Sequence, residues 1–121
     1  TEKAWRETAE AGIARRVTFS SFNANALEWL KKNAPEARTA LLYHRQWTTL
    51  SDLLGSRTYS TLNLRSRYLT EAKIATIREK NLVVNVYTVN SLWGLRKFVR
   101  WGVDGIITNH PDRLMRILKR R

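Results

Sequence analysis

Proton transfer in this chain rests on few groups: two histidines, ten Asp and Glu residues, and no cysteine. Histidine is the side chain best suited to acid or base work near neutral pH. His44 stands in the stretch YHRQW and His110 in GVDGIITNHPD. In the second stretch an apolar run, 103–107, stops at Thr108 and Asn109 and turns at once through His110, Pro111 and Asp112. A strand that ends in polar residues just before a helix is where α/β proteins place ligand-contacting loops. Without cysteine, a thiolate nucleophile, a thiolate metal site and a disulfide framework are excluded. Two separated histidines and scattered acids do not assemble a proton donor, a base and a charge-neutralising group, so both histidines read better as polar loop residues.

The elements that would carry these residues alternate along the chain. A weakly amphipathic helix over 2–12 precedes a short strand at 17–19 that leads into Ser20, Ser21 and Phe22. Asn23 or Asn25 caps the next helix, with Leu27 and Leu30 inward and Pro35 beyond its end. A second strand covers 39–43. Trp47, Leu50, Leu53 and Leu54 then form a helical stripe ended by Gly55. Residues 60–64 are a third strand, and Thr70 caps a helix carrying Ala72, Ile74 and Ile77.

The run LVVNVYTV, 82–89, is the clearest strand and reads as covered on both faces. A helix over 91–101 turns Leu92, Leu95, Phe98 and Val99 inward, and Gly102 follows as the residue able to take positive φ. After the last strand at 103–107, Pro111 sits near the first position of a helix carrying Leu114, Met115 and Leu118. Short connections between apolar strands and helices indicate parallel βαβ units in one α/β domain.

Length and composition set the frame. The 121 residues suffice for one domain with a modest core, and an apolar share of 43% fits a globular chain. No stretch approaches the roughly 18 apolar residues of a bilayer-spanning helix, and no secretory signal pattern is present. The chain opens on Thr1, and natural sequence is expected before it. Cysteine usage leaves the compartment open. Twenty-two Lys and Arg against ten Asp and Glu give a net charge of +12, which draws anionic partners: nucleic acid, acidic lipid or a phosphorylated substrate. The cations are spread along the chain, as on solvated helix faces.

Four stretches together resemble the glycerophosphodiester phosphodiesterase family: VTFSSFNANAL, LNLRSRYLT, VNVYTVN and RWGVDGIITNHPD. They occur in the family's order, and the likeness runs from about Arg15 to Leu118. The resemblance implies the C-terminal half of a TIM (β/α)8 barrel, parallel strands alternating with helices, and hence an incomplete domain over 1–121. Such barrels take about 250 residues and place their sites at the carboxyl ends of the strands. It also implies a hydrolase of glycerol and lipid metabolism that cleaves glycerophosphodiesters to glycerol 3-phosphate and an alcohol. The divalent cation it implies is calcium or magnesium.

The family's His-Arg-Gly, Glu-x-Asp, His-Asp and Glu-Ile-Lys motifs do not occur here. The catalytic histidines and metal carboxylates are therefore expected on sequence outside this chain, with no catalytic or metal-ligating residue within it, and the segment alone is expected to be inactive. His44-Arg45 carries Gln46 where the family's Gly would stand.

For substrate contact the resemblance points to Asn90 and Tyr87 at the end of the clearest strand, flanked by Ser21 and Phe22. An amide can bond a glycerol hydroxyl or phosphate oxygen, and an aromatic can wall the glycerol or alcohol. Tyr87 and Phe22 read equally well as core aromatics. Asn63 is a weaker candidate. Asn109 stands where the family often has Asp and is expected to act as a cap or turn residue, while Asp104 and Gly105 are expected to be scaffolding.

The expected partners are the substrate and either the missing N-terminal half barrel or a second copy. Peripheral attachment to an anionic membrane is a further possibility, through Trp93, Lys97 and Arg100 on one helix face. A scaffold binding RNA is the alternative from another class. It lacks a recognised nucleic-acid motif.

Overall fold

The computed structural model describes residues 1–44 and 59–120. Helix α1, Glu2–Glu10, leads through a 3-10 turn into strand β1, Thr18–Ser21. Helix α2, Ala24–Asn33, and strand β2, Arg38–Tyr43, follow. Beyond them come β3, Thr61–Arg65; α3, Glu71–Glu79; β4, Val83–Tyr87; α4, Leu92–Arg100; β5, Gly105–Ile106; and α5, Pro111–Lys119. The stripe of Trp47, Leu50, Leu53 and Leu54 lies outside the described residues.

All four strand pairings are parallel, and the order across the sheet is β1-β2-β3-β4-β5. Spatial order thus equals chain order. A doubly wound sheet reverses direction at a switch point, whereas a barrel adds each strand beside the last. The topology is that of a barrel wall.

Local chemistry starts and stops the helices. The Asn23 side chain accepts from the Asn25 backbone N–H at 2.9 Å, and Thr70 Oγ1 accepts from Lys73 N–H at 3.2 Å. Ser91 Oγ accepts from Gly94 N–H at 3.0 Å, satisfying an otherwise unpaired donor of α4. Gly102 ends α4 at φ 78°.

The two sheet faces differ. Leu62, Leu64, Val84 and Val86 pack outward against Leu27, Ile74, Ile77, Leu95 and Phe98. Burying each such side chain contributes about 1.5–3 kcal/mol, so the sheet–helix layer holds the fold.

The opposite face is more open, which corrects the reading of β4 as covered on both sides. Val83 is 41% exposed there, because a single sheet has helices on one face only. Helix periodicity also overstated burial at Leu92. Leu92, Met115 and Leu118 are exposed, while Gly94 and the half-buried Ile117 take inward places. Strand β5 is shorter than the apolar run 103–107, although Asp104 and Ile107 still donate to the Val84 and Val86 carbonyls at 2.8 Å.

Candidate active site

Alternation along the strands places Asn63 and Arg65 of β3 on the inner face, together with Asn85 and Tyr87 of β4. Their registers agree: Asn63 pairs with Asn85 and Arg65 with Tyr87. Asn85 Nδ2 donates to Asn63 Oδ1 at 2.9 Å, and Asn63 Nδ2 reaches Ser20 Oγ at 3.4 Å. Asn63 is buried. Within this layer Asn63 is tied to Asn85 on one side and Ser20 on the other, forming the floor of the inner face.

Gly105 completes the floor. A Cβ there would lie 2.4 Å from Asn85 Oδ1, so only glycine fits beside that amide. Asp104, immediately before Gly105, accepts from Val84 N–H at 2.8 Å and pairs with Arg78 at 3.4 Å. Both act as scaffolding.

Above the floor, the carboxyl ends of the strands form a rim. Tyr87 donates its hydroxyl to the Tyr43 carbonyl at 3.0 Å, spanning the end of β3. Burial raises the Tyr87 phenol above its ordinary pKa of 10.0, and the charge of neighbouring Arg65 partly offsets the rise. The phenol is therefore neutral and able to donate at physiological pH. Arg65 itself is exposed. Phe22, 58% exposed, meets the His44 ring edge-on at a centroid distance of 5.2 Å. It is a rim aromatic and no part of the core.

Ser21 and Asn90 are engaged by their own loops. Ser21 Oγ accepts from Asn23 N–H at 3.0 Å, bending the chain from β1 into α2. Asn90 Oδ1 accepts from Asn109 N–H at 2.8 Å and from Thr108 Oγ1 at 3.3 Å, tying the loop after β4 to the loop after β5. Arg113 donates to the Asn90 carbonyl at 3.2 Å, and His110 N–H donates to Thr108 Oγ1 at 3.0 Å. The turn before α5 is thus held by Thr108 and Asn90. Asn109 contributes its backbone N–H and not the side-chain cap its type suggested.

The structure brings Tyr87, Arg65 and Tyr43 together, and separately Phe22 with His44. Arg65 is the residue that sequence reasoning missed. Its signal was present in the strand periodicity: Asn63 and Arg65, like Asn85 and Tyr87, stand two apart and share a face. Among the described residues no three His, Cys, Asp or Glu side chains gather as a metal centre. The rim residues named above include no carboxylate, and this donor set does not fit a hard divalent cation, which needs several carboxylate or carbonyl oxygens.

A parallel wall in barrel order, with a cationic and aromatic rim at its carboxyl ends, defines a segment of a TIM (β/α)8 barrel. Residues 2–113 match the model of the Glycerophosphoryl diester phosphodiesterase family, and the chain belongs to that family. It is 28% identical over 108 residues to a glycerophosphodiester phosphodiesterase of Bacillus subtilis, covering 86% of this chain and 37% of that protein. A solved glycerophosphodiester phosphodiesterase from Parabacteroides distasonis superposes with a TM-score of 0.86 at 20% identity, over 99% of this chain and 50% of that one. An Oleispira antarctica phosphodiesterase, solved with the product sn-glycerol-3-phosphate, gives 0.74 at 20% identity, over 84% and 41%. These two structures are likenesses of fold. The chain spans no more than about half the length of the curated relatives it matches.

Proposed function

We propose that this chain is the C-terminal half of a metal-dependent glycerophosphodiester phosphodiesterase, which hydrolyses glycerophosphodiesters to glycerol 3-phosphate and an alcohol. Family membership supports the reaction class. The observation that carries the reading at the level of the site is the in-register pair of Arg65 and Tyr87 at the strand ends.

Hydrolysis breaks the phosphorus–oxygen bond to the alcohol and adds the elements of water. It requires a nucleophile, a proton for the departing oxygen and neutralisation of the phosphoryl oxygens. Here Arg65 supplies a fixed cation whose fork matches phosphate oxygens. Tyr87, its proton given to the Tyr43 carbonyl, supplies a ring wall and an oxygen able to accept from a glycerol hydroxyl, and Phe22 walls the glycerol or the alcohol. Ser21 shapes the turn that presents Phe22. Asn90 positions the loop at 108–110 through Oδ1, leaving its Nδ2 donors for an oxygen of the substrate. The calcium or magnesium ion of the family finds its ligands in the other half of the barrel, with the histidines that move protons.

The test is release of glycerol 3-phosphate from glycerophosphocholine, with and without calcium or magnesium, by the complete protein and by this segment alone. The expected result is cation-dependent turnover by the complete protein and none by the segment. Turnover by the segment itself would overturn the assignment and direct attention to His44 and His110.

A further inference from the structure

We propose that the outer face of α4 and α5 docks on an anionic phospholipid surface. Between the two helices lies a groove of about 590 Å³, lined by Arg96, Arg113, Arg116 and Arg120 with Leu92 and Ile117. These helices and Arg120 together carry seven cations against a single acid, Asp112. That acid sits 3.7 Å from Arg116 on an exposed surface, where such a pair contributes little. Holding four guanidinium groups along one groove costs mutual repulsion, which phosphate groups relieve with matching fork geometry.

A lipid surface fits better than RNA because of what α4 exposes beside the groove. Trp93 is 70% exposed and Leu92 beside it is 44% exposed. An indole next to an aliphatic side chain and a row of cations is the pattern of an interfacial anchor. The Lys97 ammonium lies 4.4 Å from the Trp93 ring centroid, so one face of the indole is already occupied and less open to base stacking.

This face is also distinct from the flank that the rest of a barrel would cover. Helical periodicity puts Met115 and Leu118 on the side of α5 away from α4, opposite Arg113, Arg116 and Arg120. Because Trp93 follows Asn90 and Ser91 closely, docking would hold the mouth formed by the strand ends beside the lipid headgroups. The inference does not depend on the proposed activity.

The experiment is co-sedimentation of the complete protein with phosphatidylcholine vesicles containing phosphatidylglycerol at roughly one part in three, and with pure phosphatidylcholine. Each cation near an anionic surface contributes roughly fivefold to partitioning. The double charge reversal R96E/R116E should therefore lower binding to the anionic vesicles by at least about 20-fold, and Trp93→Ala should weaken it as well. Hydrolysis of soluble glycerophosphocholine and the circular dichroism melt should stay as in the parent, which separates lost docking from lost folding. The proposal is overturned by anionic-vesicle binding that equals binding to pure phosphatidylcholine, or by unchanged partitioning of R96E/R116E. Binding to an RNA homopolymer with none to the vesicles would overturn it too.

Discussion

The Tyr87 hydroxyl donates to the Tyr43 carbonyl at 3.0 Å, joining the ends of β2 and β4 across β3. This bond makes the rim a connected structure rather than a set of loose strand ends. Replacing Tyr87 with Phe removes the donor and leaves the ring, so a loss of about 0.5–1.5 kcal/mol of stability is expected. Urea unfolding of the complete protein checks it.

The same residue gives a pH dependence of definite sign. Burial raises the Tyr87 phenol above 10.0 in the folded protein. As pH rises past 10.0 the unfolded chain releases this proton first, so stability that is fully present below that pH is lost as pH climbs through the raised value. Tyr87→Phe should flatten the decline above about pH 10. Parallel declines in parent and variant would show that other groups govern it.

Gly105 and Asn85 form a second coupled pair, because a Cβ at Gly105 would lie 2.4 Å from Asn85 Oδ1. Gly105→Ala must displace that amide and disturb its 2.9 Å bond to Asn63. A loss of about 1–3 kcal/mol is expected. Adding Asn85→Ala should recover part of it, and the double-mutant cycle measures the coupling. Additive effects would contradict the contact.

A sheet with its inner face and two edges open is prone to associate. Among the described residues β1 and β5 each have one neighbour only, and Val83, Met115 and Leu118 are exposed. The isolated segment is expected to dimerise or aggregate, as light scattering would show. A stable monomer of these residues alone would contradict the proposal that another half or a second copy completes the barrel.

Much of this wall was legible in sequence because its determinants are local. Asn23 and Thr70 cap helices wherever their neighbours lie, and Gly102 turns where only a residue without a Cβ is unstrained. The apolar runs of β2, β3 and β4 declared strands by composition. Burial at Leu92 was misjudged because helical spacing gives the apolar stripe but not the width of the surface it meets. Asn90 was legible as a polar residue at a strand end, but its bonds to Thr108 and Asn109 depend on two loops that meet only in the fold. Arg65 was hidden among many cations. Its register with Tyr87 sets it apart, and register between strands far apart in the chain is a tertiary property.

The central claim is that this half of the barrel shapes the substrate pocket through Arg65 beside Tyr87. The most direct measurement is kcat/KM for glycerophosphocholine in the complete protein carrying Arg65→Ala, with Arg65→Lys beside it. Removing a cation aimed at phosphoryl oxygens should lower kcat/KM by about 100-fold. Lys, a point charge without the fork, should restore part of the loss. An Arg65→Ala enzyme within about twofold of the parent, below the effect of even a weak charge-assisted contact, would contradict the account.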